Sequence, residues 1–354
     1  MRFIRVIALL VLIIIGGYYL YEKNHLPSQK AIDDFSSTLE TKGNMQKTKQ
    51  IPEERSTIPL EGDIFKWIDK STDELTETLG EPVRRDRSGY GYEWWVYKDQ
   101  HKQYIQFGID DNEIRTIYAV GKDLSLEPIE IGQDYESIKQ EFSITNEVSY
   151  HKGLASYTFR LKDEELQARP LVKLTDDIFM QLYFDTFTEK LSSIRILSAD
   201  LLLQHRPYEM EYRGDLPEKP NLTDKQWEKV ETGMEQQVFD ITNVIRNQYD
   251  EPSLKWDKTV STVAYLHSKD MAVNNYFSHY GLDGDGLKER LATKEVFYQA
   301  AGENIAAQYP DVPSAMHGWL NSEGHRQALL KEDYTHLGVG VYRFYYTQNF
   351  LKKQ

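Results

Sequence analysis

The 354-residue sequence contains no cysteine. That absence removes disulfide bridges, thiolate zinc sites, a cysteine nucleophile and a cysteine-linked lipid anchor together. An exported chain without bridges stabilises itself through large cores, which fits a bacterial surface better than a small secreted scaffold. Positive charge is also in short supply: 42 Lys and Arg stand against 56 Asp and Glu, a formal net charge of −14. Phosphate backbones are bound by clustered Lys and Arg, so no nucleic-acid partner is expected. The same balance disfavours adhesion of the folded part to anionic lipid. Nucleotide and hydrolase signatures are missing as well. The chain has no phosphate-binding P-loop, no GxGxxG, no HExxH and no GxSxG, and Ser278 beside His279 makes no nucleophilic triad.

What is present begins with an apolar run. Arg2 and Arg5 precede an uncharged stretch from Val6 to Tyr21, close to the roughly 17–25 residues that span a bilayer. Arg5 suits one interface and Tyr18, Tyr19 and Tyr21 the other. The positive-inside rule places the N-terminus in the cytoplasm and everything after Glu22 outside. Residues 1–21 therefore read as a transmembrane signal anchor of a single-pass protein. A cleaved signal peptide, which would leave a secreted protein, should be shorter and end in small residues.

Residues 22–55 are polar and read as a flexible linker. The remaining composition, 40% hydrophobic and 28% charged over the whole chain, is that of folded domains. Residues 56–206 read as an α+β domain of two helix-plus-three-strand units. The first unit comprises a helix at 71–80 and strands at Tyr92–Tyr97, Gln103–Ile109 and Ile114–Val120. The second comprises a helix at Tyr135–Phe142 and strands at Ser156–Leu161, Phe179–Phe184 and Ile194–Leu197. No catalytic cluster falls here, so a scaffold or a surface for a protein partner is expected. Proline-punctuated residues 207–222 read as a linker. In the last segment, 223–354, Thr223 can cap a helix whose Val230, Met234, Val238, Ile241 and Ile245 form one apolar stripe. Further helices and two closing strands, His336–Arg343 and Tyr345–Phe350, predict an α/β or α+β sandwich.

Four short signatures follow one another in this segment. They are Asn275-Tyr276-Phe277-Ser278-His279, Gly302-Glu303-Asn304-Ile305-Ala306, Gly318-Trp319-Leu320-Asn321-Ser322-Glu323-Gly324-His325-Arg326, and Leu337-Gly338-Val339-Gly340-Val341. With Asn243, Arg246, Leu254, Trp256 and residues 267–271 upstream, this order and spacing resembles the CAP (SCP/PR-1-like) domain of bacterial proteins over about residues 230–350. The two N-terminal units look like the region some bacilli attach in front of that domain. The resemblance implies a C-terminal three-layer α-β-α sandwich whose cleft holds two histidines and two acids. Carried onto this sequence these are His279, Glu303 and His325. The second acid's position holds Ser322 here, and the nearest carboxylate is Glu323, one residue on.

Two neutral imidazoles with a carboxylate and water form an ordinary nitrogen and oxygen set for Zn²⁺, with His279 and His325 as metal ligands. Glu303 beside a metal-bound water is then a candidate base. Alternatively, the histidines hydrogen-bond Glu303 and pin the fold. His267 lies on an apolar helical stripe and reads as a core residue, and His336 as structural or cleft-edge. Tyr276, Phe277, Trp319 and Tyr346 read as core aromatics. Asn304 is expected to hold the Glu303 turn through backbone hydrogen bonds. The leading functional expectation is a non-enzymatic module binding an envelope peptide, lipid or glycan. The rival is a zinc-dependent hydrolase of envelope peptides or esters, and a purely structural protein is the third.

Overall fold

The computed structural model describes residues 64–353 apart from 100, 123 and 125, so the anchor and spacer expected at 1–21 and 22–55 lie outside the described residues. Among the described residues no helix is long and apolar enough to cross a membrane. The first regular helix, α1 (Thr72–Leu79), starts on a reciprocal cap: Ser71 Oγ accepts from Glu74 N, and Ser71 N donates to Glu74 Oε2. Leu75 and Leu79 go into the core, and Gly80, at φ 74°, ends the helix.

Seven antiparallel strands then build one sheet. They are β1 (Arg84–Arg87), β2 (Glu93–Lys98), β3 (Gln103–Asp110) and β4 (Glu113–Gly121) from the first unit, with β7 (Leu171–Lys173), β8 (Ile178–Asp185) and β9 (Lys190–Ser198) from the second. Their order is β1-β2-β3-β4-β9-β8-β7, so the β3–β4 and β8–β9 hairpins meet at the centre, with Ile117 opposite Ile196. Both hairpins carry a register shift, at Gly108/Ile109 and at Tyr183/Phe184, as two related units would. Period-2 alternation sends Ile105 and Phe107 toward α1 and α2 (Tyr135–Glu141), while Tyr104, Tyr118, Val120 and Tyr183 join a core on the opposite face.

The second unit departs from the expected plan. Ser156–Leu161 supplies most of β6 (Ala155–Arg160), which leaves the main sheet and pairs with β5 (Glu147–Lys152) and β10 (Glu209–Arg213) in a separate three-stranded sheet. Strand β10 lies inside the stretch read as a linker. Its charges are cross-strand partners: Arg160 reaches Glu147 and Glu211 at 3.2 and 2.9 Å. A polar sequence therefore forms a strand whose outer face is wet. Two further short helices, α3 (Asp163–Ala168) and α4 (Ala199–His205), complete this half.

The long helix α5 (Asp224–Gln248) starts on the Thr223–Gln226 capping box and buries Val230, Met234, Val238, Ile241 and Ile245, the stripe read from the sequence. It lies between two sheets, because its core includes both Tyr104 and Val120 of the first and Val339 and Phe350 of the second. That second sheet has the order β11-β13-β14-β12, from β11 (Lys255–Trp256), β12 (Ala300–Ala307), β13 (His336–Tyr342) and β14 (Tyr345–Lys352). Helices α6 (Lys258–Val273) and α7 (Leu287–Ala292) cover one face, and α5, α8 (Val312–Leu320) and α9 (Glu323–Leu329) the other. The three-layer sandwich and its α+β partner are both present.

The Leu-Gly-Val-Gly-Val signature is a packing device. A Cβ on Gly340 would stand 1.9 Å from Tyr265 N, and one on Gly338 2.3 Å from the Val260 carbonyl carbon. Only glycine lets the α6 backbone lie this close to β13. Ser268 Oγ then donates to the Gly340 carbonyl at 2.9 Å and Val339 N donates to Ser261 Oγ at 3.1 Å. Asn243 and Arg246 are structural too: Asn243 exchanges two hydrogen bonds with Leu254, and Arg246 donates to the carbonyls of Pro252, Leu329 and Lys331.

Candidate functional site

Strand β12 is an edge strand, and the candidate site is built around its middle. Glu303 puts its side chain on the α6 face, where it is only 4% exposed. A buried carboxylate needs compensation, and two groups supply it. Arg290 of α7 donates to Oε2 at 2.6 Å, and His279 Nδ1 stands 2.9 Å from Oε1. The carboxylate can only accept, so His279 Nδ1 is the donor and Nε2 is turned away from Glu303. Arg290 also donates to the His279 carbonyl at 3.0 Å, tying the loop after α6 to the same centre. His267 lies beneath: its Nε2 is 3.0 Å from the Ser278 carbonyl and 3.9 Å from Glu303 Oε1. Burial, with Arg290 nearby, keeps the His267 pKa low against the pull of Glu303.

His325 arrives from the opposite layer, on the first turn of α9. Its Nδ1 is 2.8 Å from Ser322 Oγ, and its carbonyl accepts from Asn304 Nδ2 at 3.1 Å. Asn304 is thus a strut between β12 and α9 and also donates to Gln348. Burial and the neighbouring His279 lower the His325 pKa, which favours the neutral imidazole. Neither Nε2, of His279 or His325, has a protein partner among the described residues.

Three expected members, His279, Glu303 and His325, therefore gather at this edge, and Glu323 does not. Glu323 begins α9, is exposed and forms no hydrogen bond or ion pair with the other three. Ser322 is the extended residue ahead of α9 and its hydroxyl turns to His325, while Glu323, the first residue of the helix, faces solvent. Phe277, expected in the core, is 55% exposed in the loop that carries His279, whereas Trp319 and Tyr346 are buried. The Trp319 indole donates to the Ile305 carbonyl at 3.0 Å. His317 serves the other half of the molecule, with Nε2 3.0 and 3.2 Å from the carbonyls of Ala168 and Phe184. His336 pairs with Thr335 at 2.8 Å. Sequence reasoning passed over Arg290. A lone carboxylate in the otherwise uncharged strand Ala300–Ala307 was the available signal that a cation had to be near.

The donor set fits a metal in a limited way. Imidazoles that ligate metals hand their other nitrogen to a carboxylate or hydroxyl, as His279 does with Glu303 and His325 with Ser322. Glu303 itself is held on both oxygens. Among the described residues no group of three or more His, Asp or Glu has metal-binding geometry. The site thus provides two imidazole nitrogens, with any further ligands left to water or a bound molecule.

Comparison with known proteins agrees with this fold. Residues 68–208 match the CAP-associated N-terminal family and residues 239–351 the cysteine-rich secretory protein family. The chain is 42% identical over 345 residues to the uncharacterized membrane protein YlbC of Bacillus subtilis, covering 97% of each chain. It is 42% identical to an extracellular protein containing an SCP domain from Bacillus anthracis, with a TM-score of 0.78 over 87% of this chain and 100% of that one. A cysteine-rich secretory protein from Staphylococcus aureus superposes with a TM-score of 0.74 at 28% identity, over 84% of this chain and 94% of that one. This cysteine-free chain belongs to the bacterial CAP, or cysteine-rich secretory protein, family, in the form that carries a CAP-associated region in front of the CAP domain.

Proposed function

We propose that the protein is a membrane-anchored extracytoplasmic binding module whose cleft between His279 and His325 takes an envelope ligand without turning it over. The observation that carries this reading is the state of Glu303. Both of its oxygens are occupied, one by the Arg290 guanidinium at 2.6 Å and one by His279 Nδ1 at 2.9 Å. A carboxylate committed to two fixed donors and only 4% exposed is poorly placed to reach a proton on a ligand or water. It serves instead to orient His279. The unpartnered Nε2 atoms of the two histidines are the groups left to meet a ligand, with Ser322 and Glu303 holding their rings. The anchor reading draws on the apolar run Val6–Tyr21 and on the membrane and extracellular descriptions of the two Bacillus relatives.

The test is retention of the full-length protein, in mild detergent, on an isolated envelope fraction containing wall polymer and lipid. Retention should fall at least tenfold in His279→Ala and in His325→Ala; equal retention of wild type and both variants removes the cleft from the account. A companion measurement checks the anchor. Deleting residues 1–21 should move the protein out of the membrane pellet, whereas a pellet unchanged by the deletion argues against it.

One arrangement favours a second reading, zinc-dependent hydrolysis of envelope peptides or esters. The carboxylate–histidine and hydroxyl–histidine pairs are those that accompany metal-bound imidazole. Zn²⁺, when bound, would sit on His279 and His325 and supply a Lewis acid. The chain's own residues would then orient those two rings and exclude water on the buried side of Glu303. Calorimetric titration of Zn²⁺ into the wild type and the double His279→Ala/His325→Ala variant decides whether the two histidines hold it. Chelator-sensitive release of wall material would favour this reading over the first.

A further inference from the structure

We propose that the ligand of this cleft is an extended peptide, bound as a fifth strand along the free edge of β12. The inference rests on the cleft reading above and names the class of molecule that fills it.

Six strands stand at sheet edges among the described residues, and an exposed edge invites pairing unless it is short or charged. Five are managed in that way. Strand β1 has four residues, three of them arginine; β7 has three and carries Lys173; β11 has two and carries Lys255. Strands β5 and β10, of six and five residues, carry Lys152 and Arg213. Strand β12 is the exception. It has eight residues, Ala-Ala-Gly-Glu-Asn-Ile-Ala-Ala, without lysine, arginine or proline. Its one charge, Glu303, is folded against Arg290 and His279 and repels nothing at the rim.

The open part of this edge coincides with the cleft. At its far end Trp319 takes the Ile305 carbonyl, and Asn304–Ala306 are buried. The near end, Ala300–Glu303, is half-buried, and it continues from exposed Phe297 and Gln299. An unpaired edge offers alternating N–H and C=O groups, which only another extended backbone satisfies in register. Ala300, Ala301 and Gly302 raise no side-chain barrier to that approach. A strand laid there passes Glu303 and Asn304, the residues bonded to His279 and to the His325 carbonyl. Exposed apolar side chains flank the site in sequence: Phe277, Tyr280 and Leu282 in the loop that carries His279, 55, 64 and 45% exposed, and Phe297 just ahead of β12, 88% exposed.

The probe is a library of random twelve-residue peptides, capped at both ends, selected on the immobilised full-length protein and followed by fluorescence anisotropy. Strand addition predicts that selected peptides lose affinity about tenfold for each N-methyl group placed at alternate residues. The intervening residues should tolerate the same change. Proline on an edge strand is accepted where the amide faces out. Of Ala300→Pro and Ala301→Pro, whose amides point to opposite edges of the strand, the one that folds should therefore lose peptide binding. If neither folds, the N-methyl series on the wild type still decides. Uniform tolerance of N-methylation, or no peptide selected, overturns strand addition. Envelope retention that depends on His279 while no peptide is selected leaves the cleft reading standing and this one refuted; loss of both removes both.

Discussion

At the scale of single residues, the site is organised around one buried negative charge. Glu303 has exchanged water for Arg290 and His279. Removing one partner of such a pair costs about 3–5 kcal/mol, because the other is left buried and uncompensated. Arg290→Met should lower the denaturant midpoint accordingly, while Arg290→Met with Glu303→Leu recovers a large part of the loss. A midpoint unchanged in Arg290→Met would show that Glu303 has its charge compensated elsewhere. Two other histidines give the molecule an acid limit. His317 and His205 are buried, and burial pushes their pKa values down to about 4 and about 3, helped by Arg169 and Arg195 respectively. The unfolded chain takes up protons on both below about 6.5, whereas the folded chain resists until the lower values. Their contribution to stability is therefore complete above about pH 6.5 and is lost as pH falls toward 4. For His317 alone the full loss is on the order of 3 kcal/mol. Denaturant melts at pH 7 and pH 4.5 should show this drop, and His317→Asn should flatten it; equal slopes in both proteins would refute the assignment.

Among the elements, close contact between α6 and β13 sets the position of the site. Gly340→Ala would drive a methyl group into the Tyr265 backbone at 1.9 Å. Backbone cannot rotate away as a side chain can, so the cost should reach or exceed the ~3 kcal/mol upper end of ordinary overpacking. Thermal melting and loss of His279-dependent binding should report it together, since α6 leads directly into the His279 loop. Legibility in the sequence differs from element to element. Helix α5 was readable because its stripe is long and periodic, and the hairpins β3–β4 and β8–β9 because both sheet faces are buried. His279, Glu303 and His325 were recognisable because fixed motifs carry them. Strand β10 and the detachment of β6 were not, since cross-strand ion pairs such as Arg160–Glu211 look like linker composition until the strands are side by side. Arg290 escaped for a related reason: on the short helix α7 it is one more surface charge, and only the fold brings it to Glu303.

For the whole molecule, the CAP-associated region and the CAP domain share a core. Tyr104, Tyr118, Val120 and Tyr183 pack with α5 and α8. Ion pairs cross the same boundary, among them Arg195 with Asp311, Arg84 and Lys98 with Asp240, and Asp185 with Arg326 in a two-pronged contact at 2.9 and 3.0 Å. Arg326 follows His325 in sequence, so the β8–β9 hairpin braces the helix that carries one wall of the cleft. Asp311 caps α8 through Ser314 N and is fully buried; burial opposes its charge, and Arg195 opposite holds its pKa below the usual range nonetheless. Arg195→Met leaves that anion stranded and should cost about 3–5 kcal/mol. Asp311→Asn keeps a side-chain cap for Ser314 N without the charge. The double variant should therefore regain more than half of what Arg195→Met loses. Calorimetry should show one unfolding transition for the wild type, because a shared core melts as a unit. Two separated transitions in the wild type, or a double variant no better than Arg195→Met, would mean that the two regions fold independently and that the hairpin does not brace the His325 helix.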